Sequence, residues 1–344
     1  MSRLSFAQRI VNWQRLHGRH HLPWQNTRDA YRIWLSEIML QQTQVETVIN
    51  YYQRFLRSFP NIRTLAKAPL SRVLEHWSGL GYYRRAHHLH AAAREVMNRY
   101  GGKFPETQEM LMALPGIGRS TAAAIAVFAF DQRAAILDGN VKRVLARHRA
   151  IEGNPSLSAI EKTMWAVAET LLPKRNLSEY TQGLMDLGAS ICTRRQPDCA
   201  HCPLRRDCVA RLEQRTHLLP TPKTAQPLVE LRFHILILKR KQRILLEERV
   251  TQKIWTGLWS FPECALTDDV AQVVKRRYGL TAAAIETFPV MTHRLTHRRL
   301  IMTPVEVDVR GRLRTTASCR FLSREEVLRD AIPTPVRSII LARI

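Results

Sequence analysis

The sequence predicts two domains joined by a linker: an all-α domain over residues 1–214 and a smaller α+β domain over residues 229–344. From Phe6 to about Arg211, apolar residues recur every three or four positions, the spacing of helices that pack on one face. Residues 215–228 carry three prolines and no periodicity, as an extended linker does. Beyond them, short alternating runs such as LRFHILILKR and RLIMTPVEVDV indicate strands, and DDVAQVVKRRY and REEVLRD indicate helices.

The charge of the chain favours an anionic partner. Its 344 residues hold 53 Lys and Arg against 29 Asp and Glu, a formal net charge of +24 at pH 7. This balance is typical of nucleic-acid-binding proteins, although a solubilising surface charge has the same sign. The chain is long enough for more than one core, and it has no long uncharged apolar run that suits a membrane span. Because residues 1–18 also lack the order of a signal peptide, we expect a cytoplasmic protein without membrane contact.

Four cysteines lie close together in the pattern C-x6-C-x2-C-x5-C: Cys192, Cys199, Cys202 and Cys208. So short a segment brings four thiolates to one point only by wrapping around an inorganic centre. Structural zinc sites usually pair two C-x2-C units, and this segment has one, so a [4Fe-4S] cluster is favoured over zinc. Inert or disulfide-bonded cysteines are the remaining alternative.

Residues 114–121, LPGIGRST, precede the alanine-rich run AAAIAVFAF and have the form of a helix-hairpin-helix motif over about 111–130. Gly116 and Gly118 permit a tight turn. The N–H groups that begin the next helix then suit a DNA phosphate without reading sequence. A plain helical turn is the alternative.

A predicted helix over residues 31–52, YRIWLSEIMLQQTQVETVINYY, carries Glu37 on one face with Gln41 and Gln44, beside apolar neighbours. Burial on such a face disfavours the charged carboxylate and suits a general acid. The amides suit the edge of a nucleobase. A polar stripe that faces solvent is the alternative.

Asp138 stands in a turn directly before the basic helix NVKRVLAR. A helix N-cap is the ordinary role of an aspartate at such a position. The cations Lys142, Arg143 and Arg147 that follow favour a second role, a carboxylate that faces a DNA sugar.

Residues 79–86, GLGYYRRA, combine flexible backbone, two aromatic rings and two cations. A wedge that enters a base stack has this composition. Tyrosines at the start of a helix are also ordinary core residues, so both interpretations stand on these residues alone.

Six segments together resemble the MutY-type adenine DNA glycosylases, a branch of the endonuclease III helix-hairpin-helix superfamily. They run in register from about residue 6 to 210: WLSEIMLQQTQV, GLGYYRRA, ALPGIGRSTA, ILDGNVKRVLAR, MDLGASICT and the four-cysteine loop. The resemblance implies a base excision repair enzyme that flips adenine out of duplex DNA, opposite 8-oxoguanine or guanine, and hydrolyses its N-glycosidic bond. It also implies one [4Fe-4S] cluster on the four cysteines and a bacterial-type, nucleoid-associated monomer, with other repair proteins as possible partners.

The resemblance assigns roles to single residues. Glu37 matches the acid that protonates the adenine ring nitrogen. Asp138 matches the carboxylate that stabilises or traps the oxocarbenium sugar, with Asn140 as its polar partner. Such carboxyl pairs work with pKa values pushed apart. Tyr82 matches the aromatic ring that intercalates beside 8-oxoguanine, and Gln41 the position that probes the base pair.

Position 120 distinguishes two branches of the superfamily. Bifunctional relatives carry a lysine there, which forms a Schiff base with the sugar and cuts the strand, whereas this chain has Ser120. The resemblance therefore implies weak or no strand cleavage, with Lys142 trapping some sugar in a side reaction. An endonuclease III-like enzyme for oxidised pyrimidines and a non-enzymatic, redox-sensing cluster protein are the alternatives.

The second domain resembles the Nudix-like C-terminal domain of the same family, around ILLEERVTQKIWTGLWSFPEC. DDVAQVVKRRYGL lacks the glutamates of a Nudix hydrolase, so the resemblance implies recognition of 8-oxoguanine and no pyrophosphate hydrolysis. The run HRLTHRR places Thr296 and His297 at the Ser-His of the family's Phe-Ser-His loop, with Leu295 at the aromatic position.

Overall fold

The computed structural model describes residues 4–223, 227–250, 254–314 and 318–343, so parts of the predicted linker and of the predicted Nudix-like segment lie outside the described residues. The chain divides into two compact units. One joins Met1–Lys67 with His88–Ala225, and the other joins Ala68–His87 with Gln226–Ile344.

The first unit is helical, as the periodicity predicts. In chain order the helices up to residue 212 are α1 (Phe6–His17), α2 (Ala30–Leu40), α3 (Val45–Ser58), α4 (Ile62–Lys67), α5 (Leu70–Trp77), α6 (Arg84–Tyr100), α7 (Gln108–Met112), α8 (Arg119–Phe130), α9 (Gly139–His148), α10 (Ser158–Leu171), α11 (Leu177–Ser190) and α12 (Val209–Leu212). Of these, α5 and the start of α6 belong to the second unit.

The predicted single helix over residues 31–52 is wrong. The chain forms α2, which ends at Leu40, and α3, which begins at Val45. Gln42 between them has a left-handed φ of 59°, which a right-handed helix does not accommodate. Gln41 and Gln44 are therefore the C-cap of α2 and the N-cap of α3, and not members of one helical face.

Small side chains bring α8 close to its neighbours. Six consecutive residues of this helix, Ala122 to Val127, are buried. Four of them are alanines, and the other two are Ile125 and Val127. Helix α8 packs on α2, α7 and α11, while α11 also packs on α1 and α9. Because alanine permits close approach between helices, the starts of α8 and α9 lie near the end of α2, where the functional site forms.

The second unit contains a mixed sheet covered by helices. Its further elements are β1 (Val229–Arg240), β2 (Arg243–Glu248), β3 (Trp259–Ser260), β4 (Glu263–Cys264), α13 (Val270–Tyr278), β5 (Thr281–Thr287), β6 (Met291–Arg294), β7 (Arg298–Arg310), β8 (Cys319–Leu322), α14 (Arg324–Arg329) and α15 (Thr334–Arg343). The main order is β3-β2-β1-β7-β5, and β1 and β7 run parallel, with Val229 opposite Arg298 and Lys239 opposite Asp308.

Side chains of β1 alternate between two cores, as the period of a strand requires. Ile235 and Ile237 pack on one face with residues of α14 and α15, and Leu236 and Leu238 pack on the other with α13. The predicted α+β domain is confirmed. Among the described residues, no helix has both the length and the apolar character needed to cross a membrane.

Hydrogen bonds explain why residues 68–87 group with the second unit. Ser78 Oγ and Tyr83 Oη both donate to the carbonyl of Ile332, at 3.1 and 3.4 Å. His87 Nε2 lies 3.0 Å from the carbonyl of Thr256. The sequence predicts that this segment belongs to the helical domain, whereas these hydrogen bonds join it to the sheet domain.

Candidate active site

A cavity of about 1140 Å³ opens in the first unit among α2, α8, α9, α11 and the loop of residues 18–29. Five of the predicted site residues line it: Glu37, Gln41, Ser120, Asp138 and Asn140. They come from distant parts of the sequence, so only the folded unit brings them together. A cavity of this size has room for a nucleobase and its sugar.

Glu37 reaches this cavity from α2, where its neighbours Ser36 and Ile38 are buried. Burial, and after it the charge of Asp138, raises the pKa of the Glu37 carboxyl to about 8. The side chain therefore holds its proton at neutral pH, which is the state of a general acid. A polar stripe facing bulk solvent does not describe this position.

Asp138 is both a helix cap and a cavity residue. Its Oδ1 accepts a hydrogen bond from the N–H of Val141 at 2.7 Å, as the N-cap of α9. Its Oδ2 accepts from Asn140 Nδ2 at 3.3 Å. Burial raises the pKa of Asp138, whereas these donors and the charge of Arg143 lower it. Burial thus raises the pKa of both Glu37 and Asp138, and the hydrogen-bond donors lower only that of Asp138. The expectation that the two pKa values are pushed apart is therefore met only in part.

Arg143 connects this carboxylate with the cysteine loop. Its Nη2 donates to Asn140 Oδ1 at 2.9 Å and to the carbonyl of Gly188 at 2.6 Å. Its Nε donates to the carbonyl of Cys192 at 2.7 Å. Since Asn140 in turn donates to Asp138, a chain of hydrogen bonds runs from the loop to the cavity. The sequence placed Arg143 only in the basic helix behind Asp138, and the structure shows that its guanidinium donates to these carbonyls.

Arg147 is also turned inward, with a side chain only 2% exposed. It donates to the carbonyls of Thr193, Arg194 and Leu219 at 2.7, 3.0 and 2.8 Å. Its Nη1 also donates to Cys192 Sγ at 3.3 Å. Arg143 and Arg147 therefore hold the cysteine loop and the chain that follows it. The inference that the cations behind Asp138 favour a carboxylate facing a DNA sugar stays a prediction.

The four cysteines of the loop are partly buried free thiols: Cys192, Cys199, Cys202 and Cys208. Burial raises the pKa of Cys202 to about 12, and the charges of the other three thiols act in the same direction. Four neighbouring thiols beside a guanidinium are the donor set of an iron-sulfur centre. Among the described residues, however, no group of three or more His, Cys, Asp or Glu side chains is arranged closely enough to hold a metal ion.

Ser120 and Lys142 differ in their relation to the cavity. Ser120 lines it, and its Oγ accepts a hydrogen bond from the N–H of Leu137 at 3.2 Å, which fixes the backbone just before Asp138. Lys142 is not among the lining residues, and its Nζ pairs with Glu161 Oε1 at 2.6 Å. The sequence gave no sign of this ion pair.

The cavity also contains residues that sequence reasoning missed. Arg19, Trp24, Gln25 and Gln182 line it. Asp186, fully buried on α11, accepts from Arg19 Nε at 2.8 Å and from Gln182 Nε2 at 2.9 Å, and so orients both side chains. The only signal available beforehand was an acid inside the apolar motif MDLGASICT.

In the helix-hairpin-helix motif, the two glycines differ. Gly116 has φ of 76°, and an added Cβ would lie 2.6 Å from His88 Cβ, so both conformation and space require glycine. Gly118, the N-cap of α8, has φ of −87°, and an added Cβ would meet no described atom within 4 Å. The turn therefore permits glycine at both positions and requires it only at Gly116. The open surface at Gly118 leaves room for a ligand beside the first N–H groups of α8.

In the second unit, Tyr82 and the hairpin between β6 and β7 meet. Tyr82 has a left-handed φ of 50° and is 45% exposed, so it is not a core residue. Thr296 Oγ1 donates to Tyr82 Oη at 3.5 Å, and His297 beside it is exposed. Leu295 packs against the sheet core, which explains an aliphatic side chain at that position. Two of the predicted lesion-binding residues are thus in contact.

Two carboxylates of the second unit, Glu247 and Glu263, form ion pairs with arginines. Arg277 Nη2 donates to Glu247 Oε2 at 3.0 Å, and Tyr278 Oη donates to the same oxygen at 2.7 Å. Arg249 Nη1 donates to Glu263 Oε1 at 2.5 Å. These contacts tie both carboxylates to neighbouring arginines. The expectation that this unit hydrolyses no pyrophosphate stays a prediction.

Comparison with known proteins supports both domain predictions. Residues 35–170 match the family model of the HhH-GPD superfamily base excision DNA repair proteins, and residues 234–342 match the NUDIX domain. A solved thermostable thymine-DNA glycosylase is 33% identical with a TM-score of 0.55, over 60% of this chain and 95% of that one. An endonuclease III–DNA complex, 20% identical with a TM-score of 0.52 over 60% of this chain and 94% of its own, shares the fold. The class is therefore a helix-hairpin-helix DNA glycosylase with an appended Nudix-like domain.

Curated relatives narrow the class. The adenine DNA glycosylase of Buchnera aphidicola subsp. Baizongia pistaciae is 39% identical over 310 residues, which are 90% of this chain and 88% of that relative. The human adenine DNA glycosylase is 41% identical over 237 residues, 66% of this chain and 43% of its own length. The chain belongs to the MutY-type adenine DNA glycosylases.

Proposed function

We propose that this protein removes adenine mispaired with 8-oxoguanine or guanine in duplex DNA, as a monofunctional glycosylase of base excision repair. The observation that carries the proposal is the pairing, in one cavity, of a Glu37 carboxyl with pKa about 8 and an Asp138 carboxylate held by hydrogen-bond donors. A proton donor and an anion beside it are the two groups that N-glycosidic hydrolysis needs.

The reaction follows from this arrangement. The flipped-out adenine enters the cavity, and Glu37 gives its proton to a ring nitrogen, so the base leaves neutral. Positive charge then develops on the sugar beside the Asp138 carboxylate, which stabilises or traps it. Water adds to the sugar and returns a proton to Glu37, leaving an abasic site. Asn140 holds the Asp138 carboxylate in place throughout.

The absence of an amine from the described lining residues near Asp138 supports weak or no strand cleavage. Ser120 stands where bifunctional relatives carry lysine, and its hydroxyl accepts from Leu137. Lys142 is engaged by Glu161. A Schiff base needs a free amine at the sugar, so excision ends at the abasic site, with Lys142 as the source of minor trapping.

The opposite base is read by the second unit. Tyr82 enters the stack beside 8-oxoguanine, and the exposed Thr296 and His297 supply hydrogen-bonding groups at the same place. Gln41 probes the base pair from the cavity, while Gly116 and Gly118 present backbone to a DNA phosphate.

One [4Fe-4S] cluster on Cys192, Cys199, Cys202 and Cys208 belongs to this proposal, on the strength of the donor set and of the arginines that hold the loop. When bound it supplies coordination that fixes the loop. We further propose that the protein acts as a monomer in the bacterial cytoplasm at the nucleoid, where other repair proteins are possible partners.

The test uses enzyme in excess over duplexes that carry adenine opposite 8-oxoguanine, guanine or thymine, and over a thymine-glycol duplex. We expect alkali-dependent strand breakage only where adenine faces 8-oxoguanine or guanine. Breakage of the thymine-glycol strand without alkali would instead assign the protein to the endonuclease III branch.

A further inference from the structure

Arg85 is a buried cation beneath an exposed aromatic ring. It lies in the first turn of α6, three residues after Tyr82, and is only 8% exposed, whereas Tyr82 is 45% exposed. The sequence motif GLGYYRRA contains it as one of two cations, but the proposed reaction assigns it no role of its own. A buried arginine costs desolvation, so its retention calls for specific contacts.

The contacts of Arg85 surround the turn that presents Tyr82. Its guanidinium carbon lies 5.3 Å from the centroid of the Trp77 ring and 5.4 Å from that of Tyr82. Its Nη2 donates to the carbonyl of Gly81 at 3.2 Å, and Trp77 Nε1 donates to the same carbonyl at 3.1 Å. Two donors and two rings therefore meet at one peptide group, directly before Tyr82.

This turn needs such support because its backbone is unusual. Gly79, Gly81 and Tyr82 all have positive φ, at 93°, 78° and 50°. The left-handed region is natural for glycine and disfavoured for tyrosine, whose Cβ crowds the backbone. A tyrosine stays in it only where neighbouring contacts determine the conformation.

We propose that Arg85 is the positioning residue of the Tyr82 wedge, holding the Gly81–Tyr82 turn in its left-handed form so that the ring stands ready to enter the DNA beside the base opposite adenine. This inference rests on the proposed function of Tyr82. Thr296 touches the hydroxyl end of the same ring, so Tyr82 is held at the turn by Arg85 and at its tip by the hairpin.

The chemistry of arginine fits this role better than plain space-filling. Burial lowers the pKa of Arg85 to about 10, so the side chain is still charged at neutral pH. A planar cation stacks on rings and donates to a carbonyl at once, which a lysine or a methionine does not.

The test measures single-turnover excision on adenine opposite 8-oxoguanine and opposite guanine, and takes the ratio of the two rate constants. We expect Arg85→Met to lower this ratio about three- to tenfold, the range of a lost cation–π contact. Arg85→Lys, which keeps the charge but not the planar fork, should give a smaller loss in the same direction. Arg84→Met, at the exposed neighbouring position of the same helix, should leave the ratio unchanged.

A double-mutant cycle with Tyr82→Ala separates the possible outcomes. If Arg85 acts through Tyr82, Arg85→Met has no further effect on the ratio in the Tyr82→Ala background. Equal loss of both rates together with a lower Tm would make Arg85 purely structural and would overturn the inference, as would a normal ratio in Arg85→Met when Tyr82→Ala lowers it. A normal ratio in Tyr82→Ala itself would overturn the proposed role of Tyr82, and the inference with it.

Discussion

Glu37 is a carboxyl whose proton the fold retains, and its ionisation should limit the reaction at high pH. Because the protonated form of Glu37 is the proposed donor and its pKa is about 8, we expect the single-turnover rate to fall as pH rises through about 8. Rates measured with excess enzyme across this range test the expectation. A rate that stays constant well above this pH would remove Glu37 as the acid.

The same burial should cost stability at neutral pH. The ordinary pKa of 4.5 applies to the unfolded chain and a pKa of about 8 to the folded one, so between these values the folded state binds more protons and stability falls as pH rises. Glu37→Gln removes the ionisation. It should raise the free energy of unfolding by about 3 kcal/mol at pH 7, with almost no gain at about pH 4. Urea denaturation of the parent protein and of Glu37→Gln at several pH values measures the difference in their free energies of unfolding. A difference that does not change with pH would contradict the expectation.

Asp138 combines a capping bond with a charge, and substitution can separate the two. Asparagine caps helices about as well as aspartate, so Asp138→Asn should keep the Tm close to that of the parent while excision falls about 100-fold or more. Asp138→Ala should lose both the cap and the excision. Thermal unfolding and single-turnover rates on the same preparations give the comparison, and normal excision by Asp138→Asn would exclude a role for its charge.

At the scale of elements, α9 and α10 are joined by the pair of Lys142 and Glu161. The pair engages the Lys142 amine at Glu161, 2.6 Å away, and so holds it back from the sugar. Glu161→Gln should therefore increase the covalent adduct that borohydride traps between protein and abasic DNA. Adding Lys142→Ala to this variant should abolish the increase. If trapping is the same with and without Glu161, the ion pair does not restrain the amine.

The spacing of apolar residues predicted the helical domain correctly, but it did not predict the break between α2 and α3. The four residues 41–44 between α2 and α3 span about one helical turn, so the apolar residues stay in phase across the gap and the sequence reads as one helix. Glu37 and Asp138 could be singled out from the sequence because Glu37 has apolar neighbours on its helix face and Asp138 directly precedes a basic helix. Gln182 and Asp186 were missed because a buried acid in a helix looks like an exposed one until the facing helix is known.

At the scale of the whole molecule, residues 68–87 depend on distant chain. Removal of residues 226–344 would take away the carbonyl acceptors of Ser78, Tyr83 and His87. We expect hydrogen exchange to accelerate over residues 70–87 of the truncated protein while α2, α8 and α9 stay protected, and the preference for 8-oxoguanine to fall. Unchanged protection over residues 70–87 would show that this segment holds its own structure.

The pattern of apolar residues predicted a change from helical to mixed structure near residue 214. It did not predict that residues 68–87 belong to the second unit. The buried residues of α5, Val73, Leu74 and Trp77, suit the core of either unit equally well. Long-range pairing of this kind leaves no local mark, since apolar burial is not directional.

The grouping of residues 68–87 with the sheet unit has a consequence for exchanging parts between relatives. A chimera joined at the linker would take the β6–β7 hairpin, with the proposed lesion-binding residues Thr296 and His297, from one parent and Tyr82 from the other. Tyr82 and the hairpin that contacts it would then come from different proteins and would not match, even though each domain folded. The segments that we propose recognise the opposite base are therefore discontinuous in the gene, and a graft intended to transfer that recognition should carry both of them.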